Sequence, residues 1–160
     1  MADDGSGAAS SSNSPTAADD AALQDALAAA HAALWGYGVV GAALPVGARA
    51  PVVAAQQAHR DLRDQLEALL TSRSVDPVTA EAAYRLPFPV LSPVDAAALA
   101  VTLEEGTQEA CTWVLDQAVQ RSTRALGVAA LTAAEVRAVA WRASAGRTPV
   151  TSAFPGLPES

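Results

Sequence analysis

The sequence has few of the residue types that usually carry catalytic or binding chemistry. A single cysteine, Cys111, excludes an internal disulfide and any cysteine-based metal cluster. Aromatic residues make up only 4%, and ten Lys and Arg residues stand against seventeen Asp and Glu, for a formal net charge of −7. Nucleic acids and anionic membrane surfaces both attract basic faces, so we expect neither as a partner.

Alternating runs of β-branched residues are also missing, which argues against a β-sheet. Hydrophobic residues make up 51% of the 160 residues, and much of that share is alanine. Alanine is the best helix former, and its small side chain favours closely packed helices. The length suits one domain with one core. We therefore predict a single all-α domain over residues 16–158.

The first fifteen residues, Met1 to Pro15, are rich in Gly, Ser and Asp. They lack the basic start and apolar run of a secretory signal, and we expect a disordered tail. Together with the lone cysteine, this favours a cytoplasmic location. The stretch from Ala26 to Ala48 carries no charge and is long enough to cross a bilayer. Because it is mainly Ala and Gly, we expect it to be a helix buried in protein, with no membrane contact.

Two helices are predicted in the first half of the chain. The first begins near Thr16 as N-cap, has Asp19 and Asp20 in its first turn, and is ended by Pro45. Glycines in a helix cost about 1 kcal/mol each against Ala and make sense where another backbone approaches closely; here they are Gly36, Gly38 and Gly41.

The second helix opens with Pro51 near its first position and runs to about Arg73. Its predicted buried stripe has a period near 3.6 and consists of Val52, Gln56, His59, Leu62, Leu66 and Leu69. The following connection, residues 74–91, is long and contains Pro87 and Pro89, which exclude a regular helix. Extended, it could cover the length of a helical bundle, as a crossover between two helix hairpins does.

The third helix has a clear start, with Ser92 as N-cap, Pro93 at its first position and Asp95 close to a capping box. Helices of equal length would place the break before the fourth helix near residues 120–123, with Ser122 as cap; a second option is a break at Thr132. Gly146 is expected to end the fourth helix in the left-handed C′ position, and the tail from residue 149 to 158 to lie on the helices.

Six segments together resemble a family of uncharacterised ferritin-like proteins of actinobacteria, known only as a domain of unknown function. They are His31–Gly41, Ala58–Asp64, Leu86–Val90, Leu103–Gly106, Trp141–Gly146, and residues 149–151 with 154–158. The resemblance implies a ferritin-like four-helix bundle with a long crossover between the second and third helices, and it implies no activity.

Di-iron proteins of the ferritin-like kind take a Glu from each of two helices and a Glu-x-x-His from each of the other two. Here the second helix reads Gln56-x-x-His59, and the fourth has Ala138 three residues after Glu135. The first helix offers His31 and the third Glu105. All four candidate ligands, His31, His59, Glu105 and Glu135, fall near the middle of their helices and could meet at one level.

Half a ligand set is present at best, so we expect no di-iron centre. A buried polar network is the preferred interpretation, with Arg142 as a charge partner of Glu135. A single iron, manganese or zinc ion on the four candidates is the alternative. Cys111 is expected to be an inert core thiol.

Three functional hypotheses remain at this point, and no catalytic residue is assigned in any of them. The first is a non-enzymatic structural or interaction module that forms a homo-oligomer, most simply a dimer, through the Gly-rich first helix with Trp35 and Tyr37. The second is a metal-dependent oxidoreductase or metal-storage protein. The third is a small-molecule carrier with a cavity left by small alanine side chains.

Overall fold

A computed structural model describes residues 14–157. Over that range the chain is helical and contains no strand, as the composition predicts. The α-helices are α1 (Pro15–Ala43), α2 (Ala50–Ser72), α3 (Pro93–Gln117) and α4 (Arg121–Ser144), with a short 3-10 turn, Val46–Ala48, between α1 and α2. Most of the predicted N-terminal tail, residues 1–13, lies outside the described residues.

The start of α1 differs from the prediction by two residues. Ser14, not Thr16, is the N-cap: its Oγ accepts a hydrogen bond from the Ala17 amide at 3.2 Å, and Pro15 takes the first helical position. Asp19 and Asp20 consequently lie beyond the first turn. Their partner is Arg73 at the end of α2, whose guanidinium lies 3.2 Å from Asp19 and 2.7 Å from Asp20.

The ends of α3 and α4 agree largely with the prediction. Ser92 caps α3 through a 3.1 Å hydrogen bond from the Asp95 amide to its Oγ. The break before α4 lies at residues 118–120, so the alternative break at Thr132 is wrong. Ser122 is not the cap, since the helix already begins at residue 121. Gly146 has a φ of 68° and follows α4 as expected.

The helices form two antiparallel hairpins, α1–α2 and α3–α4. α1 and α3 are antiparallel, because Asp19 of α1 accepts a hydrogen bond from the Val119 amide just after α3 while Tyr37 reaches Glu104 in mid-α3. α2 and α3 run in the same direction: the apolar clusters pair Val52 with Ala96 at one end and Leu66 with Val114 at the other.

Two consecutive helices that run in the same direction need a long connection, and residues 73–92 provide one without helical structure. This crossover runs along α1 from its N-terminal to its C-terminal half. The Gln24 side chain donates to the carbonyl of Asp76 at 2.7 Å and accepts from the amide of Val78 at 2.8 Å. Farther on, the rings of Tyr84 and Trp35 lie 5.8 Å apart. Leu86, Phe88 and Val90 then pack against one of the apolar clusters.

The buried side chains form two apolar clusters with a polar layer between them. Along α2 the layer contains His59, between Ala55 of one cluster and Leu62 of the other. Along α3 it contains Glu104 and Gln108, which are buried between Val101 and Val114. On α2, Ala55 and Leu70 are buried in place of the predicted Gln56 and Leu69, which are only partly buried.

α1 is the one described helix long and apolar enough to span a membrane, by length and composition alone. Most of its buried apolar side chains belong to the two apolar clusters of the chain itself. Two of its glycines are packing positions: a Cβ on Gly36 would lie 2.7 Å from Leu103 of α3, and one on Gly41 would lie 3.3 Å from Val52 of α2.

Candidate functional site

The centre of the polar layer is the carboxylate of Glu104, which is contacted by one residue from each of the other helices. Tyr37 of α1 donates its hydroxyl hydrogen to Oε1 at 2.5 Å. His59 of α2 places Nε2 at 3.2 Å from the same oxygen. Arg137 of α4 donates from Nε to Oε1 at 2.8 Å and from Nη2 to Oε2 at 2.9 Å. We call these four residues the Glu104 cluster.

The helical period explains why Glu104 and not Glu105 faces the interior. The buried positions of α3 include Ala97, Val101, Glu104, Gln108 and Cys111, which follow one another at alternate steps of four and three residues. Glu105 lies about 100° around the helix from Glu104, and its side chain is 44% exposed. The prediction of Glu105 as the interior carboxylate is wrong by one residue, because Glu104 is the buried one.

Glu104 is held in its charged form despite its burial. Desolvation raises the pKa of this carboxyl, but the hydrogen bonds and positive charges of His59 and Arg137 outweigh it and bring the pKa below the ordinary value. Burial, and then the neighbouring carboxylate, raise the pKa of the Tyr37 hydroxyl. Tyr37 is therefore a neutral donor to the charged Glu104 carboxylate.

Glu135 is the centre of a second cluster, nearer the surface, which confirms the predicted pairing with Arg142. Its oxygens accept hydrogen bonds from Arg142 at 3.0 and 3.1 Å and from Gln108 at 3.0 Å. Arg142 also donates to Glu105 and to the carbonyl of Val150, while the amide of Ser152 donates to Glu135. This cluster therefore fastens the C-terminal segment to α3 and α4.

The four candidate metal ligands are distributed among three places. His59 belongs to the Glu104 cluster, whereas Glu105 and Glu135 belong to the second cluster, where both contact Arg142. His31 lies under the crossover, with Nε2 3.2 Å from the carbonyl oxygen of Val78 and 3.9 Å from Glu67. Residues 14–157 contain no group of three or more His, Cys, Asp or Glu side chains that could hold a metal ion. The expectation that the four meet at one level is corrected accordingly.

The Glu104 cluster itself does not fit a pair of metal ions. A site for two hard cations needs several carboxylates to neutralise them, and the cluster has one, whose two oxygens both accept hydrogen bonds from Arg137. Nδ1 of His59 is buried and has no hydrogen-bond partner among the described residues. Of the fully buried side-chain nitrogen and oxygen atoms in the cluster, it is the only one without a partner among the described residues.

Sequence reasoning missed Tyr37, Glu104 and Arg137 as members of a polar site. Tyr37 was assigned to an interface between copies of the chain, whereas it is fully buried here. The usable signal was the spacing of α3, because Glu104 lies three residues after Val101 and four before Gln108. Cys111 is buried as expected, and burial raises its pKa to about 12.

Two cavities lie on the outer side of α3. The larger, here called the C-terminal cleft, has a volume of about 800 Å³ between α3 and the C-terminal segment; its lining includes Glu105, Gly106, Glu109, Arg142 and Arg147. The smaller is an apolar groove of about 330 Å³ between α1, α3 and the crossover, lined by residues such as Trp35, Tyr84 and Leu103. Thr102 borders both cavities.

Comparison with known proteins places this architecture in a family. The chain is similar to a conserved hypothetical protein, rv2844, from Mycobacterium tuberculosis, whose crystal structure matches with a TM-score of 0.81 and 41% sequence identity, over 89% of this chain and 100% of that one. No curated protein matches the chain. The model of the family described as Domain of unknown function (DUF4439) matches residues 22–159. The chain belongs to this family.

Proposed function

We propose that this protein is a non-catalytic structural or interaction module built on a ferritin-like four-helix bundle in which the metal position has degenerated. The observation that carries the proposal is the bidentate contact of Arg137 with Glu104. A guanidinium is a permanent cation with a planar fork that matches a carboxylate. It supplies the positive charge that a metal ion would otherwise bring to the centre of the bundle.

The arrangement of the helices supports the ferritin-like part of the proposal. Ferritin-like bundles have one long crossover, and their metal ligands project inward from all four helices. In this chain the crossover joins the parallel helices α2 and α3, and each helix contributes one side chain to the Glu104 cluster. In a ferritin-like bundle a metal centre would lie at this position, whereas the chemistry of the cluster is that of an ion pair with hydrogen bonds.

The alternative function is a metal-dependent oxidoreductase or a metal-storage protein. The unpartnered Nδ1 of buried His59 favours it, since a neutral imidazole nitrogen is a common metal ligand. Iron, manganese and zinc are the metals that such a site would take.

Metal analysis distinguishes the two functions. Elemental mass spectrometry is made on untagged protein purified without chelator, together with His59→Ala, Glu104→Ala and the matched control Glu105→Ala. We expect no stoichiometric iron, manganese or zinc in the wild type. Stoichiometric metal that is lost in the first two variants, and kept in the control, would establish the metal protein instead. Circular dichroism verifies that each variant is helical.

Self-association is the interaction that we propose for this module, in the form of a homodimer. In α1, the residues expected at an interface pack within the chain: Tyr37 is fully buried and Trp35 faces Tyr84. The outer face of α4 is a better interface, because Val136 is 67% and Val128 54% exposed. The exposed residues of this face between Arg124 and Arg137 carry no charge; they are Ala125, Val128, Ala129, Thr132, Ala133 and Val136.

The charge of the chain restricts where two copies can meet. With a formal net charge of −7, most faces would bring like charges together. A two-fold axis would place the uncharged face of α4 against itself and avoid this repulsion. We place this homodimer in the cytoplasm, where the single thiol stays reduced, and expect neither a nucleic acid nor a membrane as partner.

Light scattering at tens of micromolar protein tests the dimer. We expect twice the chain mass for the wild type and the single-chain mass for Val136→Glu. Val53→Glu is the matched control, because Val53 is 62% exposed on α2, and it should remain dimeric. A monomeric wild type, or a Val136→Glu variant that dimerises as the wild type does, would refute this interface.

A further inference from the structure

Gly106 is a glycine in the middle of α3 that packing does not explain. A glycine in a helix interior weakens the helix relative to alanine. At Gly36 and Gly127 the cause is visible, since an added Cβ would lie 2.7 Å from Leu103 and 2.9 Å from Leu115, respectively. At Gly106 an added Cβ would meet no atom within 4 Å. This glycine lines the C-terminal cleft and leaves the backbone of α3 bare there.

The turn of α3 that contains Gly106 has a second feature that weakens the helix. Glu105 and Glu109 are four residues apart, so that they are neighbours on the helix surface, and like charges at this spacing repel. Both line the C-terminal cleft. Arg142 contacts only Oε1 of Glu105, and Glu109 makes no hydrogen bond or ion pair with any residue from 14 to 157. One turn of α3 thus combines two features that oppose folding, as functional sites often do.

The wall of the C-terminal cleft carries a positive charge, opposite to the charges of Glu105 and Glu109. Arg147 follows α4 and lines the C-terminal cleft, and within the described part of the chain its guanidinium has no hydrogen-bond or ion-pair partner. Arg142 is already engaged by Glu105, Glu135 and the Val150 carbonyl. The cleft therefore offers carboxylate oxygens on its floor, a free guanidinium on its wall and a bare helix backbone at Gly106.

We propose that the C-terminal cleft binds short peptides with free ends. The ammonium group of the peptide pairs with Glu105 and Glu109, its carboxylate pairs with Arg147, and its backbone lies over Gly106. Arginine binds a carboxylate through two parallel hydrogen bonds, which gives direction as well as affinity. The volume of about 800 Å³ is within the range of small-molecule sites.

The mixed charge selects this ligand class over simpler ions. A metal cation at the two glutamates would leave Arg147 without a counter-charge. A phosphate at Arg147 would meet the carboxylates of the floor. A zwitterion satisfies both sides at once, and a short peptide with free ends carries one ammonium and one carboxylate group.

Titration calorimetry on the full chain tests the site with alanine peptides of two, three and four residues as probes. At least one of them should bind, and blocking either end should weaken its binding about tenfold or more, because each block removes a charge-assisted contact. The blocked controls are the N-acetylated peptide and the C-terminal amide. If no probe binds at millimolar concentration, or if the blocked peptides bind equally well, the proposal is wrong.

Substitutions then locate the site. Arg147→Gln and Glu109→Gln, both at exposed positions, should each weaken binding about tenfold without loss of helix signal. Gly106→Ala should raise the melting temperature and weaken binding, whereas Gly38→Ala, the matched control on α1, should raise it without affecting binding. Gly38 also has no atom within 4 Å of an added Cβ. Binding that all three cleft variants leave unchanged would place the peptide elsewhere and overturn the proposal, independently of the metal and dimer tests.

Discussion

Arg137 of α4 contacts both carboxylate oxygens of Glu104 of α3, at 2.8 and 2.9 Å, and joins two helices through an ion pair at the centre of the molecule. The carboxylate is 0% exposed and the arginine side chain 20%. Breaking one partner of a buried pair leaves an uncompensated charge, which is far more costly than the pair is worth. We therefore expect the intact pair to favour one register between α3 and α4.

The first prediction compares two adjacent glutamates. Glu104→Gln should lower the free energy of unfolding by about 3–5 kcal/mol, since Arg137 loses its counter-charge in the interior. Glu105→Gln should lower it by less than about 1 kcal/mol, because its side chain is half exposed and Arg142 keeps Glu135. Urea unfolding followed by circular dichroism measures both. Similar losses for the two variants would contradict the buried pair.

The second prediction concerns the loss of stability at acid pH through protonation of Glu104. Burial raises the pKa of Glu104, but its contacts with His59 and Arg137 bring the pKa below the ordinary value of 4.5. The unfolded chain therefore binds this proton at a higher pH than the folded chain does. The stabilisation is complete above the unfolded pKa and is lost as the pH falls through the folded one.

Urea midpoints measured between neutral pH and pH values below 4.5 test this linkage. In this range the wild type should lose stability more steeply than Glu104→Gln, which cannot take up the proton. An equally steep loss in Glu104→Gln would assign the acid sensitivity to other carboxylates.

The third prediction concerns the loss of stability at alkaline pH and the part that Cys111 has in it. Burial raises the pKa of this thiol from 9.0 to about 12. Between these values the unfolded chain releases the proton and the folded chain retains it, so stability falls as the pH rises. Tyr37, whose pKa burial also raises, acts in the same direction. Cys111→Ala should therefore show a shallower alkaline loss than the wild type.

The readout is the slope of stability against pH and not the absolute stability, because removing a buried sulfur also leaves a small cavity. A thiol reagent gives a second measurement: Cys111 should react on the timescale of unfolding at neutral pH, and rapidly in urea. Fast reaction of the folded protein would show that the thiol is accessible and not buried.

Local signals in the sequence predicted several elements well. Ser92, Pro93 and Asp95 identified the start of α3, and Gly146 identified the end of α4, because caps depend on neighbouring residues only. The Glu135–Arg142 contact was predicted for the same reason, since seven residues make two helical turns. The prolines of the crossover excluded a helix between α2 and α3.

Long-range contacts were beyond the reach of such signals. Asp19 looked like a first-turn acid, and only the folded chain brings Arg73 beside it. The interior carboxylate was predicted at Glu105 because the Ala-rich α3 has only a weak hydrophobic stripe from which to orient the helix. An error of one residue turns the predicted inner face by about 100°. Tyr37 was assigned to an interface for a similar reason: a buried tyrosine requires a partner, and its partner is Glu104 on another helix.

The fourth prediction concerns the contact between Gln24 and the crossover. Its side chain is hydrogen-bonded to the Asp76 carbonyl and the Val78 amide. Gln24→Ala should remove both bonds, and hydrogen exchange at the Val78 amide should become faster. The expected loss of stability is about 1–2 kcal/mol, the sum of two ordinary hydrogen bonds. Gln57→Ala, which removes an exposed bond to Asp61 within α2, should leave the Val78 amide unchanged. Unaltered exchange in Gln24→Ala would show that the apolar contacts alone hold the crossover.

The fifth prediction compares two glycines of α1 that are two residues apart. Gly38→Ala should stabilise the protein by about 0.4–1 kcal/mol, because the methyl group meets no atom and the unfolded chain loses freedom. Gly36→Ala gains the same helix propensity but places its Cβ 2.7 Å from both Cδ atoms of Leu103. Over-packing of this kind costs about 1–3 kcal/mol, so the two variants should differ by that amount in their free energies of unfolding. Leu103 borders the apolar groove and has some room to move, which favours the lower end of the range. Equal stabilisation by both alanines would mean that α1 and α3 are not in close contact at Gly36.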